Sequence, residues 1–299
     1  MAKVLVTGGC GKLGKVINAL LSANHEVSNF DVSNNSGINK LENGDVLNRP
    51  ALRERLQGKD VVIHLAAIDK AVHAPDEKFM QVNVMGTWNV FEESRNANIN
   101  KVIFMSSVAV YGIGLGRPPL QIPVNESHPT NPNSSYGLSK LLGENIARTF
   151  ARTSDMKVIC FRPPLIIYPS DVLTMHSLSR EVDESQLVGK KTLQDSGAHL
   201  ISGARSYILA HDVANAASLA IEDTHIKWDV YNVSAPDTYS TQDTLNLITQ
   251  EYGIVDYIEK NQKNLPHGRA SMFDADRLKS KLSWKPTQDW KTAVSMALN

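Results

Sequence analysis

Apolar and polar positions alternate in two rhythms along this chain. Short, nearly continuous apolar runs at Lys3-Val4-Leu5-Val6-Thr7, Asp60 to Leu65 and Lys101 to Met105 read as buried strands. Further strands are predicted at Glu26 to Phe30 and Lys157 to Phe161, the last halted by Pro163-Pro164. Between them, helical periodicity predicts helices over Lys15 to Ala23, Asp76 to Asn96 and Ser134 to Arg152. Strand and helix in alternation is the pattern of an α/β fold, a parallel sheet with crossover helices.

After residue 165 the rhythm loosens. Ser170 to Ala204 is polar and irregular, and is expected to form the substrate side of a cleft. A strand at Tyr207 to Leu209 precedes a helix over Val213 to Ala220, which Asp212 is placed to cap. A strand follows at Val230 to Val233, and Ser240-Thr241-Gln242-Asp243 has capping-box form before a helix ending near Tyr252. Asp274 to Leu282 and Trp290 to Leu298 form the last helical pair, around Trp284-Lys285-Pro286, with both tryptophans read as core. Neither a repeat nor a Pro/Ser-rich linker interrupts the chain.

The first strand runs into Gly8-Gly9-Cys10-Gly11-Lys12-Leu13-Gly14, with Gly8, Gly11 and Gly14 spaced three apart. A glycine-rich turn between strand and helix lets the backbone approach a pyrophosphate and presents free N–H groups to it. One glycine suffices for a tight turn, whereas this stretch has four. The next strand ends at Asp31, where a Rossmann sheet places a carboxylate on the adenosine ribose. Asp31 would repel a 2′-phosphate, and residues 32 to 37 (Val, Ser, Asn, Asn, Ser, Gly) offer no arginine to receive one. These residues predict NAD rather than NADP. The expected architecture is a doubly wound parallel sheet with a small C-terminal substrate-binding cap. Residues 1–165 would bind NAD, 206–235 would return to that domain, and 166–205 with 236–299 would form the cap.

Composition agrees. The chain has 299 residues, with 31 Lys+Arg against 31 Asp+Glu, so the electrostatic footprint of a nucleic-acid binder is missing. Its apolar runs are far shorter than the roughly 20 residues of a membrane span, and Met1-Ala2-Lys3-Val4 enters the first strand directly. Two cysteines, Cys10 and Cys160, are too few for a disulfide framework, which suits a cytoplasmic protein. Cys10 is read as a packing residue of the glycine loop. The nine histidines form no cluster at ligand spacing, so no metal site is expected. Arg117-Pro118-Pro119 reads as a surface turn, with an arginine that reaches an anionic substrate as the alternative.

Tyr136 and Lys140, four residues apart, share one face of their helix. A free tyrosine ionises near pH ~10, so as a base it needs a neighbouring positive charge, which Lys140 is placed to supply. With the glycine loop, His64-Leu65-Ala66-Ala67, Ser106-Ser107-Val108-Ala109-Val110-Tyr111-Gly112 and Tyr136-Gly137-Leu138-Ser139-Lys140, the chain resembles the extended short-chain dehydrogenase/reductase family, the NAD-dependent epimerase/dehydratase group. Asp45-Val46 after the third strand, Asn83, Phe161-Arg162-Pro163, Arg205 to Asp212 and Phe273 to Pro286 extend the resemblance over most of the chain.

The resemblance implies roles. Tyr136 would be the general acid/base, Lys140 would hold the nicotinamide ribose and lower the tyrosine pKa, and Ser107, with Ser106 as the alternative, would bond the reacting oxygen. Gly8, Gly11, Lys12, Leu13 and Gly14 would meet the pyrophosphate, Asp31 the ribose, and Asp45 and Val46 the adenine. Leu65, Ala66, Ala67, Asn83 and Pro163 would complete the cofactor site, and Ser107, Val108, Leu165 and Arg205 would face the substrate. Sugar epimerases of the family usually carry asparagine where this chain has Leu165. The implied activity is NAD-dependent oxidation of a secondary alcohol of a sugar or small hydroxy compound, as dehydrogenase/reductase or epimerase. The alternative is a non-catalytic dinucleotide sensor. Relatives often dimerise through the helices that here are Asp76 to Asn96 and Ser134 to Arg152, so a homodimer is expected.

Overall fold

A computed structural model describes residues 1–33, 41–69, 74–114, 117–185, 204–252 and 265–298. Its main sheet contains β1 (Lys3–Thr7), β2 (Glu26–Asp31), β3 (Leu41–Asn43), β4 (Val61–His64), β5 (Lys101–Met105), β6 (Lys157–Arg162) and β9 (Trp228–Asn232). They lie in the order β3-β2-β1-β4-β5-β6-β9, all parallel. This is the doubly wound sheet that the alternation predicts. β7 (Leu165–Ile167) and β8 (Tyr207–Leu209) form a separate parallel pair.

Strand parity sorts the side chains into two layers. Val4, Val6, Val61, Ile63, Ile103, Ile159 and Phe161 face one way, onto Ile17 and Leu21 of α1 (Lys12–Leu21) and the alanine-rich α6 (Ala210–Glu222). Leu5, Val62, Val102, Phe104, Val158 and Cys160 face the other. There they meet α2 (Arg49–Leu56), α3 (Asp76–Lys78, a π-helical stretch Phe79–Met85, and Gly86–Asn96) and α4 (Ser135–Thr153). Strand C-terminal ends therefore open together at the crevice where β1 and β4 diverge, which is where such sheets bind ligands.

Several boundaries differ from the sequence reading, for local reasons. α1 begins at Lys12 rather than Lys15, because extended Gly11 already acts as its cap and accepts the Lys15 N–H at 3.0 Å. Asp212 does not cap α6, which begins at Ala210; its carboxylate instead accepts from Thr287 N (2.8 Å) and Thr287 Oγ1 (2.7 Å). The cap of α7 (Thr244–Tyr252) is Asp243, whose Oδ1 accepts the Leu245 N–H at 2.9 Å, while Ser240 Oγ closes its own turn on Gln242 N. β9 starts two residues earlier than expected, at Trp228.

The C-terminal helices α8 (Asp276–Leu282) and α9 (Trp290–Leu298) lie against β9 with α6 and against α5 (Val172–Ser185), respectively. Trp284 and Trp290 are buried in the hydrophobic cluster that includes Val4 of β1, and the Trp284 indole donates to Asp212 O at 3.0 Å. Of the expected substrate segment Ser170 to Ala204, residues 186–203 lie outside the described residues, as do 34–37 of the stretch after Asp31.

Candidate active site

The glycine loop forms one end of the site. Gly8 holds φ +74°, and a Cβ there would sit 2.7 Å from Ala66 N. At Gly14 a Cβ would lie 2.6 Å from Gly8 O and Gly9 Cα. Both positions exclude side chains so that the loop can fold tightly against β4 and open its N–H groups outward. Asp31 holds this loop, its carboxylate accepting from Cys10 N and Ser33 N, each at 2.9 Å. Cys10 is buried, with burial and then Asp31 pushing its thiol pKa up.

From the loop a cleft of about 1250 Å³ runs along the strand ends to the Tyr136 helix. Gly8, Gly11, Lys12, Leu13, Gly14, Asp31, Asp45, Val46, Leu65, Ala66, Ala67, Ser107, Val108, Tyr136, Lys140, Pro163 and Leu165 all line it. It exceeds the roughly 300–1,000 Å³ of a single-ligand pocket, so a dinucleotide leaves room for a second molecule.

Two predicted site residues stand elsewhere. Asn83 is 2% exposed and lies behind the cleft wall; it accepts from Ile68 N (2.7 Å) and donates to Ile68 O (3.1 Å) and Ser139 Oγ (3.0 Å). Arg205 is 8% exposed, donates to Ser240 Oγ at 3.2 Å, and is outside the cleft lining, where its neighbour Ser206 appears. A helix pattern and a motif place these residues on the right element. They do not reveal which way a side chain turns.

At the reacting end the two candidate serines separate. Ser106 Oγ donates to buried Glu144 Oε1 at 2.6 Å, whereas Ser107 lines the cleft with Tyr136 and its Oγ accepts the Ala109 N–H at 3.1 Å. Burial pushes the Tyr136 pKa well above its ordinary value, the Asp69 carboxylate adds to the rise, and the neighbouring Ser107 hydroxyl opposes it. Lys140 donates to Met105 O at 2.9 Å and lies 5.7 Å from the Tyr136 ring centroid. Its pKa is lowered to about 8 by burial, against the pull of Asp69. Burial outweighs any lowering of the tyrosine pKa by Lys140, whose ammonium donates to Met105 O.

Behind the cleft, His64 bridges β1 to α3. The Thr87 hydroxyl donates to Asn83 O at 2.5 Å, so His64 Nε2 must carry the proton toward Thr87 Oγ1 (2.9 Å). Nδ1 is then the acceptor for the Thr7 hydroxyl at 2.7 Å, and Thr7 Oγ1 receives the Ala66 N–H at 3.4 Å. Burial, with Lys140 second, lowers the His64 pKa from 6.5 to about 3. The unfolded chain thus binds a proton that the folded chain refuses, and stability should fall as pH drops from 6.5 toward 3. This one group contributes up to about 1.4 kcal/mol per pH unit. Thermal denaturation of wild type and His64→Gln across that window checks it; an acid slope equally steep in both contradicts it.

Sequence reading missed several lining residues. Asp69 stands two residues after the strand-end motif, a position in reach of inference. Tyr168, Asp171 and Tyr239 carried no local signal, Phe273 was marked only as part of the resemblance, and all four arrive from distant segments. Lys12 spans the cleft toward two of them, 3.3 Å from Asp171 Oδ2 and 5.3 Å from the Tyr168 ring centroid.

The model of the NAD dependent epimerase/dehydratase family matches residues 4–234. The chain belongs to this family. Within it, a putative UDP-glucose 4-epimerase of Methanocaldococcus jannaschii is 28% identical over 316 residues, spanning 99% of this chain and 97% of the relative. An L-arabinose 1-dehydrogenase (NAD(P)(+)) of Haloferax volcanii is 30% identical over 198 residues, 64% of this chain and 75% of the relative. A solved short-chain dehydrogenase/reductase superfamily protein from Agrobacterium tumefaciens with bound NAD shares the fold, with a TM-score of 0.74 at 22% identity over 98% and 95% of the two chains. Uronate dehydrogenase from Agrobacterium tumefaciens gives 0.67 at 18% identity, over 100% and 89%. This epimerase/dehydratase-family member is accordingly an NAD-dependent enzyme, and the sensor alternative falls away. The residues present fit that cofactor, since Gly8 and Gly14 of the loop admit no Cβ and Asp31 holds the loop through Cys10 N.

Proposed function

We propose that this enzyme catalyses reversible oxidation of a secondary alcohol of a sugar or small hydroxy compound, as a net dehydrogenation or as the first half of an epimerisation. The carrying observation is the Tyr136–Ser107 hydroxyl pair at one end of a cleft whose other end is the glycine cradle. Gly8, Gly11 and Gly14 would cradle the pyrophosphate, Asp31 the ribose, Asp45 and Val46 the adenine. NAD, when bound, would supply the hydride acceptor for the carbinol carbon. Tyr136 Oη takes the hydroxyl proton during oxidation and returns it during reduction, and Ser107 bonds the oxygen as it changes between hydroxyl and carbonyl. With its raised pKa, the phenol rests protonated and is set to donate during reduction, whereas oxidation requires that it first release this proton to solvent. Lys140 has two N–H protons beyond the one held by Met105 O, and these would hold the nicotinamide ribose.

Substrate scope draws on the relatives, which act on sugars by their printed names. We also infer a homodimer, supported by Met85, Trp88 and Leu138, which are exposed on the outer faces of α3 and α4. A cytoplasmic home is proposed from the free state of Cys10 and Cys160. Among the described residues no helix is long and apolar enough to cross a membrane. The test is incubation with NAD and a panel of free and nucleotide-linked sugars, following NADH absorbance and product stereochemistry together. NADH accumulation identifies a dehydrogenase, an epimer without NADH an epimerase, and neither outcome across the panel overturns the reading.

A further inference from the structure

The peptide unit between Gly9 and Cys10 is gripped at both ends. Its carbonyl accepts from Asn18 Nδ2 at 3.1 Å, and its N–H donates to Asp31 Oδ2 at 2.9 Å. Because a planar trans peptide points its C=O and N–H in opposite directions, fixing one end aims the other. Gly9 O can only accept, so the Asn18 amide has to present its nitrogen.

The surrounding residues leave a path for this contact and no slack around it. Asn18 lies one turn beyond Gly14 on α1, and a Cβ at Gly14 would stand 2.6 Å from Gly9 O, so the bare glycine lets the carbonyl reach the next turn. Asn29, paired with Val6 across β1 and β2, packs its amide where a Gly9 Cβ would go. Asn18 is 7% exposed and sits in the layer of Val4, Val6, Ile17 and Leu21. A polar side chain is costly among such neighbours, which makes its one aimed bond the place to look for its role.

We propose that Asn18 is a positioning residue for cofactor choice, holding Asp31 at the adenosine ribose through the Gly9–Cys10 peptide. This rests on the proposed placement of Asp31 on that ribose. With Asn18 in place, Cys10 N–H and Ser33 N–H each fix one oxygen of the Asp31 carboxylate, which then stands ready for the ribose hydroxyls and against a 2′-phosphate. Without the Asn18 amide, Gly9 O loses this donor, the flexible glycine lets the peptide rotate, and Cys10 N–H leaves Asp31. The carboxylate can then turn from a 2′-phosphate, so NADH loses affinity while NADPH gains relative to it.

The ratio of two binding constants reads this role, because a purely structural one would weaken both cofactors alike. NADH and NADPH are titrated by fluorescence into wild type, Asn18→Leu, Asn18→Ala and Asp31→Asn, with thermal denaturation of each. Leucine matches asparagine in size and suits the layer, and alanine suits the helix, so at least one variant should fold with a wild-type midpoint. Wild type should prefer NADH by about tenfold or more, and either Asn18 variant should narrow that preference by about threefold or more, as expected for one lost hydrogen bond. An unchanged ratio, equal losses for both cofactors, or loss of the fold in both Asn18 variants overturns the inference while Asp31→Asn still narrows the preference. An Asp31→Asn protein with the wild-type ratio, or a wild type without preference, overturns the placement of Asp31 itself and the inference with it.

Discussion

Tyr136→Phe is expected to lower turnover by about 10³-fold while leaving NAD affinity within a few-fold, as general acid–base groups of this kind contribute ~10²–10⁴. The change removes one oxygen and little else. Phe keeps the ring volume and the edge contact with Phe79 at 6.3 Å between centroids, and the α4 backbone bonds are untouched. The glycine cradle lies at the other end of the cleft, so the cofactor should still bind. Ser107 would be left with a hydroxyl but no proton acceptor of suitable strength, which is why a large residual rate is not expected. Steady-state kinetics on the best substrate of the sugar panel, with NAD titration by fluorescence quenching, measures both quantities. Loss of cofactor affinity in step with turnover would place Tyr136 in binding rather than proton transfer.

Arg162→Met is expected to destabilise the fold by about 3–5 kcal/mol, the usual cost of leaving one partner of a buried ion pair alone. Arg162 and Glu144 are 6% and 5% exposed and meet through two bonds, Nε to Oε1 at 2.8 Å and Nη2 to Oε2 at 2.7 Å. The pair is the centre of a network: Ser106 donates to Glu144, and Arg162 Nη1 donates to the Tyr111 hydroxyl at 3.0 Å. Tyr111 in turn donates to Asn232 Oδ1 at 2.7 Å. Since Ser106 precedes Ser107, loosening it should also lower kcat more than it raises KM. The double variant Glu144→Leu/Arg162→Met removes both charges and should recover more than half of the lost stability. Chemical denaturation of the four proteins gives the cycle; additive losses would show that the two side chains act independently.

The parts of the site that were legible in sequence share one property, which is that the backbone itself carries the signal. Gly8 and Gly14 are glycines because a Cβ would strike backbone, and such constraints appear as residue type at fixed spacing. Tyr136 and Lys140 are legible because helical spacing brings them to one face. The failures arise where a side chain chooses among distant partners. Asp212 has the composition and place of a cap, yet Thr287, far along the chain, offers it two donors. Asn83 was placed on the correct helix, but its amide turns to Ile68 and Ser139 instead of the cleft. Lys140 was expected to act on the tyrosine pKa through proximity in sequence, but burial, which helical spacing does not reveal, is the larger influence on both groups. Tyr239 and Phe273 reach the cleft only through the chain's return after β9, which local periodicity does not encode.

The central claim is that hydride leaves a sugar carbinol carbon in the cleft between the glycine loop and Tyr136. It is tested most directly by isotope transfer, with the accepted sugar deuterated at the reacting carbon and incubated with enzyme and NAD. The nicotinamide pool is then analysed by mass spectrometry after quenching within a turnover. Deuterium should appear in the reduced cofactor with wild-type enzyme and fall to background over the same interval with Tyr136→Phe. Product formation with the deuterium never passing to the cofactor, or equal transfer in the two proteins, would contradict the account.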